Sequence, residues 1–421
     1  MNNNIFSGIR LRQILNDLKR RPEDASKELK ISKKKINNIL KGKQKLDLRI
    51  IKKMIKIWPV SINSFINYNF LTKKDPQIII CKCDYSKKTS RIMKRGGIDY
   101  YEYRDTAMAR FAPFRPEWIR TICKVKNNKA NNSKVIWNKG HLLHQFTYFV
   151  GNINFYYLNS KGKKKVSLMK TGDTMYISPY VPHSFASRDS KTNFIIALTY
   201  LDKITNEVQE NLSHLGEESS KNIINNSNEL IERYASNSFL NKDKLKIKNK
   251  LKESNLNTKI RIATKYSKAL NINIRDLLTA DTNKKVEIKK ATTCRSWLFP
   301  SKRKRIFFVK ELASSKYVPE GKSFEIKVLK NNNLINENHC HQYLYVLSDN
   351  LTLKINSKKY NFKKDDTFYL KPFTKFCFIN KGAKILILRV SDSMSGENLL
   401  QLSQIGKKNI QRVIMENKKW F

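Results

Sequence analysis

Two histidines and one glutamine, His141, His183 and Gln145, are of residue types that can bind a metal. His141 and Gln145 are four residues apart, and the sequence around them predicts a strand. Because side chains alternate along a strand, His141 and Gln145 then share one face and His144 points to the other. His183 follows a turn stiffened by two prolines, at residues 179–182. Two imidazoles and one oxygen ligand leave three metal positions open, which suits a non-haem iron(II) oxygenase that must admit a substrate and O2.

Short strands must hold these side chains in place. Between residues 78 and 200, β-branched and aromatic runs alternate with Gly, Asn and Lys turns, which is typical of an all-β sandwich or barrel. The predicted strands are 78–80, 135–137, 147–150, 153–158, 175–177 and 194–199. A second set follows at 305–309, 324–328, 343–347, 351–355, 367–370 and 385–390.

Each strand-rich segment is preceded by a helical one. Apolar residues recur at helical spacing in residues 8–70 and again in residues 205–285, where Leu245, Ile247 and Leu251 are among them. Pro22 fits the first turn of a helix, and Ser32 fits an N-cap. Residues 24–43 resemble a helix-turn-helix of the phage-repressor type, with Lys30 where that family usually has glycine.

The order of segments indicates an internal duplication. The stretch KALNINIRDLL at 268–278 mirrors KIWPVSINSFI at 56–66, a repeat of roughly 210 residues. We therefore predict an α+β protein made of a helical domain and a barrel, each present twice. The predicted domains are 1–75, 76–204, 205–288 and 289–421.

Composition limits the choice of partners and compartment. The 84 Lys and Arg residues against 35 Asp and Glu give a net charge of +49, which attracts polyanions such as nucleic acid. The basic residues are spread over the whole chain, so a solvated basic surface is the favoured interpretation. The same positive charge would also attract a small anionic substrate.

No apolar run is long enough for a membrane span, and the first residues lack a signal-peptide pattern, so we expect a cytoplasmic protein. The six scattered cysteines indicate reduced thiols. The sequence leaves open whether the chain forms a homo-oligomer.

Residues 138–151 and 172–185 together resemble the two metal motifs of the cupin barrels. In that family a G-x-H…(E/Q)…G hairpin and a G-D…P-x-x-P-H segment converge on one metal. The match here is Gly140, His141 and Gln145 in the first motif, and Pro182 and His183 in the second. The resemblance implies a double-stranded β-helix with iron held by His141, Gln145 and His183.

A closer resemblance is to the hydroxyethylphosphonate dioxygenase family of cupin iron oxygenases. It rests on RGGIDYYEYRDTAMARFAPFRPEWI at 95–119, NKGH at 138–141 and SPYVPHSF at 178–185. Its dioxygenase branch takes the third ligand from a glutamate six residues before the second histidine, where this chain has Ile177. Another branch, which releases methylphosphonate, uses a glutamine four residues after the first histidine, as Gln145 is here. The resemblance therefore implies Fe(II)-dependent C–C cleavage of 2-hydroxyethylphosphonate with O2, giving methylphosphonate and CO2 or bicarbonate.

The same resemblance implies residues that bind the substrate. Arg95, Tyr103 and Asn138 match the family's phosphonate-binding arginine, tyrosine and asparagine, and the arginine fork suits phosphonate oxygens. His183 would lie against the substrate as well as the metal. A lysine from the end of the first helix closes over the site in the family, and an ungapped match puts it at Lys19. A slip of one or two residues in this match would move the lysine's role to residues 20 or 21. Tyr103 is the other residue for which the resemblance implies a catalytic role.

The remaining histidines receive simpler interpretations. His144 is predicted to pack or to support the ligands, and His214 to lie on the surface. His339, Cys340 and His341 stand where a first metal motif would be in the second barrel. We place Lys375 at that barrel's second histidine position, and a cation there disfavours a metal, so the second barrel is predicted to be structural.

Three other functions compete with this hypothesis. A hydroxyethylphosphonate dioxygenase would release hydroxymethylphosphonate and formate instead. A DNA-binding regulator with a ligand-sensing barrel would explain the helix-turn-helix segment and the charge, but not the co-occurrence of residues 95–120 with both metal motifs. A cupin isomerase or epimerase acting on phosphorylated sugars is the third. An epoxidase of the same neighbourhood is disfavoured, because Ile177 cannot supply its carboxylate ligand.

Overall fold

A computed structural model describes residues 8–65, 76–200, 204–224, 227–240, 256–278, 285–392, 395–406 and 408–410. The chain forms two compact units, one of residues 1–77 with 393–421 and one of residues 78–392. Helices and antiparallel sheets make up the described part, as predicted for an α+β protein. The predicted helical positions Leu245, Ile247 and Leu251 lie outside the described residues.

The first unit begins with helices α1 (Gly8–Asp17), α2 (Pro22–Leu29), α3 (Lys33–Leu40) and α4 (Leu48–Ile57), and a 3-10 helix follows at Ile62–Phe65. Pro22 opens α2, and the Ser32 hydroxyl caps α3 by accepting a hydrogen bond from the backbone N–H of Lys35, as predicted. Lys30 has a φ of 51°, in the left-handed region that glycine adopts most easily. The turn between α2 and α3 thus keeps a glycine-type conformation without a glycine.

The second unit opens with β1 (Ile78–Cys81) and the short helix α5 (Cys83–Lys88). Nine strands then follow: β2 (Arg91–Arg95), β3 (Ile98–Arg104), β4 (Phe114–Thr121), β5 (His144–Val150), β6 (Ile153–Leu158), β7 (Lys164–Met169), β8 (Thr174–Ile177), β9 (His183–Ser187) and β10 (Phe194–Tyr200).

The next described helices are α6 (Asn206–Leu215), α7 (Glu217–Lys221), α8 (Ser227–Asn237) and α9 (Leu256–Leu270), and a 3-10 helix follows at Ile274–Leu277. A helix followed closely by a 3-10 helix also ends the first helical segment. This agreement supports the duplication that the matching sequence stretches predict.

The last strands are β11 (Val286–Lys289), β12 (Ser296–Pro300), β13 (Arg305–Glu311), β14 (Gly321–Val328), β15 (His341–Val346), β16 (Leu351–Ile355), β17 (Lys358–Phe362), β18 (Thr367–Leu370), β19 (Phe376–Phe378) and β20 (Lys384–Val390), and helix α10 (Gly396–Ile405) belongs to the first unit. The strands form two β-domains, each with a seven-stranded and a three-stranded sheet. The first β-domain has the orders β11-β8-β5-β10-β4-β3-β2 and β7-β6-β9; the second has β1-β18-β15-β20-β14-β13-β12 and β17-β16-β19.

The two β-domains exchange an edge strand. Strand β1 precedes the first β-domain in sequence but pairs with β18 of the second, and β11 precedes the second but pairs with β8 of the first. An aspartate anchors each exchanged strand. Asp173 accepts hydrogen bonds from the Ala291 N–H and the Lys290 ammonium, just after β11. Asp366 accepts from the Cys83 N–H and the Lys82 ammonium, just after β1. The predicted domain boundaries stay a prediction. The strand exchange between the two β-domains was not predicted from the sequence.

Most predicted strands are found within one or two residues of their expected bounds, but two expectations are wrong. Residues 135–137 form no strand, and β5 begins only at His144, so His141 precedes it. The reason is hydrogen bonding to residues that are distant in sequence. The backbone N–H of Asn138 donates to the His183 carbonyl, and the His141 carbonyl accepts from the Tyr180 N–H. These groups therefore bind the first residue of β9 and the turn before it, and they form no regular strand pairing.

Alternation along the strands separates an inner face from an outer one. Phe149 of β5 and Phe185 of β9 are in the apolar core between the two sheets of the first β-domain. Phe146 and Tyr148 point the other way, into a core shared with residues of the second β-domain. Gln145 is four residues before Phe149 on β5 and therefore faces inward as Phe149 does. Among the described helices, none has the length and apolar character to cross a bilayer.

Candidate metal centre

His183 is placed by the turn that precedes β9. Tyr180 in that turn has a φ of 56°, and the ring of His183 is only 3% exposed. Its Nδ1 lies 2.8 Å from the Val181 carbonyl oxygen, which can only accept, so Nδ1 carries the proton. Burial lowers the pKa of His183 to about 4, and the nearby His141 and Arg95 add to the effect. The ring is therefore neutral near pH 7, with a lone pair on Nε2.

His141 lies in the loop just before β5. Gly140 beside it has a φ of +78°, and a Cβ there would come within 2.6 Å of the Tyr180 backbone, so only glycine fits this close approach. The Nδ1 of His141 lies 2.8 Å from the Leu143 carbonyl oxygen and must donate to it. As in His183, Nε2 is left to act as a ligand. The two rings are 5.5 Å apart and nearly perpendicular.

Gln145, the second residue of β5, completes the group. It is 4% exposed, and its Oε1 lies 3.0 Å from the Nε2 of His141. Its Nε2 donates to the Thr147 hydroxyl at 2.8 Å. Across the sheet it pairs with Ile177, which is fully buried and has no atom that could bind a metal.

These atoms fit a divalent metal. With Nδ1 protonated, Nε2 of His141 presents a lone pair to Oε1 of Gln145, and only a cation or a proton between them relieves the repulsion. Two ligand atoms about 2.1 Å from one metal and at right angles lie about 3 Å apart, which matches the observed 3.0 Å. In the described part of the chain, no three His, Cys, Asp or Glu side chains form a metal-binding group. An amide oxygen is thus the available third ligand.

Asn138 connects the two histidine segments. Its Oδ1 accepts from the backbone N–H of Gly140 at 3.0 Å and from that of His183 at 2.9 Å. Its Nδ2 lies 3.1 Å from the Nε2 of His183. The sequence predicted only a substrate contact for Asn138, so its part in holding both loops together was missed. A polar residue two positions before Gly140 was the available signal.

Arg95 ends β2 beside the same group. Its Nη1 donates to the Ile136 carbonyl at 3.0 Å, and its guanidinium lies over the rings of Tyr100 and Tyr101, 5.2 Å and 4.8 Å from their centres. Its positive charge adds to the lowering of the pKa of His183, after burial and His141. A planar cation fixed in this way can bind an anion through its remaining N–H groups.

Tyr103 lies on β3 against the inner core. Burial, then the carboxylate of Glu117, raises the pKa of Tyr103, so its hydroxyl keeps its proton. In the described part of the chain, no hydrogen-bond partner is found for this hydroxyl. It is therefore available to donate to an anionic ligand.

The three basic residues after α1 differ in their contacts. Lys19 follows the helix with a φ of 55°. Arg20 is engaged within the helical unit, because its Nε pairs with Glu28 at 2.7 Å and its guanidinium lies 5.6 Å from the Trp58 ring. Residue 21 caps α2. These contacts count against Arg20 for the predicted role, and the choice of Lys19 stays a prediction.

The remaining histidines outside the second β-domain lie away from the centre. His144 faces outward, as strand alternation predicts, and its Nδ1 lies 2.7 Å from the Tyr176 hydroxyl. Burial lowers the pKa of His144 to about 4. His214 is exposed on α6, as predicted.

The second β-domain contains a counterpart of each ligand position. By strand register Gln342 corresponds to Gln145, and Phe376 rather than Lys375 corresponds to His183. The placement of Lys375 at the histidine position was wrong by one residue, since His183 is four residues after Pro179 and the residue four after Pro372 is Phe376. Arg389 donates its Nε–H to Oε1 of Gln342 at 3.0 Å. A guanidinium thus binds the oxygen that a metal would need.

Two further positions of the second β-domain, Asn338 and His341, can be matched to the first. Asn338 corresponds to His141, since each residue's carbonyl accepts from the backbone N–H of the residue directly after the turn proline. His341 corresponds to His144 and lies 2.7 Å from the Tyr369 hydroxyl. The prediction that this β-domain binds no metal stays a prediction, now supported by Arg389 and Phe376 instead of Lys375.

Comparison with known proteins supports the same chemistry. No protein-family model matches the chain. Methylphosphonate synthase of Nitrosopumilus maritimus (strain SCM1) is 42% identical over 442 residues, covering 99% of this chain and 96% of that protein. A Streptomyces albus hydroxyethylphosphonate dioxygenase structure with 2-hydroxyethylphosphonate and Fe(II) bound is 28% identical, covers 98% of both chains and has a TM-score of 0.83. PhpD with cadmium has a TM-score of 0.70 at 15% identity, over 97% of this chain and 99% of that one, and shows the fold alone.

Proposed function

Because this chain belongs to the methylphosphonate synthase family, we propose that it cleaves the C–C bond of 2-hydroxyethylphosphonate with O2. The products would be methylphosphonate and CO2 or bicarbonate. As a member of that family it is a non-haem iron(II) oxygenase. We further propose that each β-domain is a cupin barrel, the first with the iron and the second without it.

The observation that carries the choice of product is the third ligand. Gln145 turns its amide oxygen towards His141, and the paired position is the buried Ile177. The dioxygenase branch needs a carboxylate at that paired position, and this chain has none. A neutral amide leaves the metal more positive, and an anionic phosphonate oxygen would offset that charge.

His141, Gln145 and His183 would hold Fe(II), which supplies O2 activation and open positions for the substrate. The protein's own part is to position these ligands. Both imidazoles are oriented by a hydrogen bond from Nδ1 to a backbone carbonyl, the arrangement that fixes the tautomer of metal-bound histidines.

Arg95, Tyr103 and Asn138 would bind the phosphonate. Arg95 offers a fixed cation, and Tyr103 offers a protonated hydroxyl. The Asn138 amide that now lies against Nε2 of His183 must find another acceptor once a metal occupies that lone pair, and a phosphonate oxygen beside the metal would be one. Lys19 keeps the catalytic role that the family resemblance implies for it.

Phosphorus NMR tests the proposal. The protein is loaded with Fe(II) without oxygen, mixed with 2-hydroxyethylphosphonate and exposed to air. We expect the substrate signal to be replaced by that of methylphosphonate. A hydroxymethylphosphonate signal, which similarity to the Streptomyces albus enzyme makes the second candidate, would move the chain to the dioxygenase branch. Unchanged substrate would overturn both.

A further inference from the structure

We propose that Thr147 is a positioning residue that keeps the oxygen of the Gln145 amide, and not its nitrogen, directed at the metal. The inference rests on the proposed role of Gln145 as a ligand. Thr147 is two residues further along β5 and therefore on the same inward face. It is fully buried, and its hydroxyl accepts from Nε2 of Gln145 at 2.8 Å.

An amide has two unlike ends, and only the oxygen has a lone pair for a metal. Without a metal, the reversed amide would be favourable, because Nε2–H could donate to the bare Nε2 of His141. With a metal, the oxygen must point to it, and the buried N–H2 group then needs an acceptor elsewhere. The Thr147 hydroxyl is 2.8 Å from Nε2 and provides that acceptor.

The second β-domain shows the alternative. Gln342 occupies the position of Gln145, but two residues later the strand has Leu344 instead of threonine. There the amide is oriented from its oxygen end, by the Nε–H of Arg389 at 3.0 Å. Arg389 itself corresponds to Thr199, the residue paired with Gln145. The same side chain is thus prepared for a metal in one β-domain and satisfied by a guanidinium in the other.

Thr147→Val tests the role, since valine keeps the shape and removes the hydroxyl. A buried donor without a partner is costly, so we expect the dissociation constant for Co(II), followed anaerobically by its visible absorption, to rise about tenfold. Thr147→Ser keeps the hydroxyl and should bind Co(II) within about twofold of the wild type. Equal affinity of Thr147→Val and the wild type, or equal losses in the valine and serine variants, would overturn the proposal.

A second pair of variants separates orientation from packing. A carboxylate has two equivalent oxygens, so in a Gln145→Glu background the loss of the hydroxyl acts alike on the free and metal-bound forms. Thr147→Val should then change Co(II) affinity by less than about twofold. A tenfold loss in this background too would mean that Thr147 only supports packing, and would overturn the proposal.

Gln145→Ala shows which idea fails. If it leaves Co(II) affinity unchanged, Gln145 is not a ligand, and both the proposed metal centre and this inference fall. If the Thr147 variants behave as expected while phosphorus NMR shows no methylphosphonate, the positioning role stands and the proposed reaction fails alone.

Discussion

Burial sets the protonation of His183 at the scale of a single residue. An imidazole that is 3% exposed is poorly solvated when charged, which lowers the pKa of His183 to about 4. Metal binding at neutral pH then has no proton to displace from Nε2. Backbone carbonyls determine which nitrogen remains free, because each accepts from an Nδ1. The protonation state and tautomer that a metal requires therefore exist before it binds.

Removing one imidazole should abolish the centre. We expect His183→Ala to lose Fe(II) affinity and to lower turnover of 2-hydroxyethylphosphonate by at least about a hundredfold, since even residues that only support ligands typically contribute ten- to a hundredfold. Iron content and phosphorus NMR measure the two effects. His214→Ala, on an exposed helix face, is the matched control and should behave as the wild type. A His183→Ala variant with wild-type iron content and rate would exclude this ligand.

Glu102 gives a pH-dependent prediction at the same scale. Burial alone would raise the pKa of Glu102, but hydrogen bonds from Arg104, Ser90 and Arg120 outweigh it and lower the pKa below the usual value of 4.5. A carboxyl with a lowered pKa in the folded state stabilises above its unfolded value, and this stabilisation is lost as the pH falls through the folded value. Glu102→Gln should reduce the free energy of unfolding at pH 7 by about 2 kcal/mol.

Urea titrations at several pH values measure this effect. The difference between Glu102→Gln and the wild type should shrink below pH 4.5, where the wild-type carboxyl also takes up a proton. Asp99→Asn is the control, because Asp99 is largely exposed and lies 3.9 Å from Lys94, so it should change stability little. A difference that stays constant down to acidic pH would contradict the ion-pair explanation.

At the scale of elements, periodicity predicted most strands but not their partners. The period of two in β5 correctly separates Gln145 from His144. It placed His141 on that strand, although the backbone there bonds to the turn before β9, which is distant in sequence and invisible to local patterns. The exchange of β1 and β11 was missed for the same reason. A four-residue apolar strand indicates burial, and only long-range pairing decides which sheet receives it.

The exchanged strands should depend on their aspartate anchors. Asp173 and Asp366 are 8% and 5% exposed in their side chains, and each accepts from a backbone N–H next to an exchanged strand. Asp173→Ala and Asp366→Ala should each lower the free energy of unfolding by about 2–3 kcal/mol, because a partly buried donor loses its acceptor. Asp84→Ala, at an exposed position, is the control for urea titration. A loss as small as in the control would mean that sheet pairing alone holds these strands.

At the scale of the whole molecule, the exchange joins the β-domains into one compact unit of residues 78–392. Each seven-stranded sheet contains a strand from the sequence preceding the other β-domain. They also share a core in which Tyr148 of the first and Tyr345 of the second β-domain are buried. Neither β-domain can unfold without exposing a sheet edge and part of this core. The second β-domain thus has a structural role for the first.

The two β-domains should therefore unfold together, and a core defect in the second should reach the metal centre in the first. Leu344 is fully buried in the second β-domain, and Leu344→Ala should cost about 2–5 kcal/mol. Hydrogen exchange with mass spectrometry should show that peptides covering β5 and β15 lose protection at the same urea concentration, and that the variant lowers this concentration for both. Phe149→Ala in the first β-domain is the reciprocal variant and should weaken β15 equally. If Leu344→Ala lets β15 exchange while β5 stays protected, the β-domains are independent, and strand exchange does not couple them.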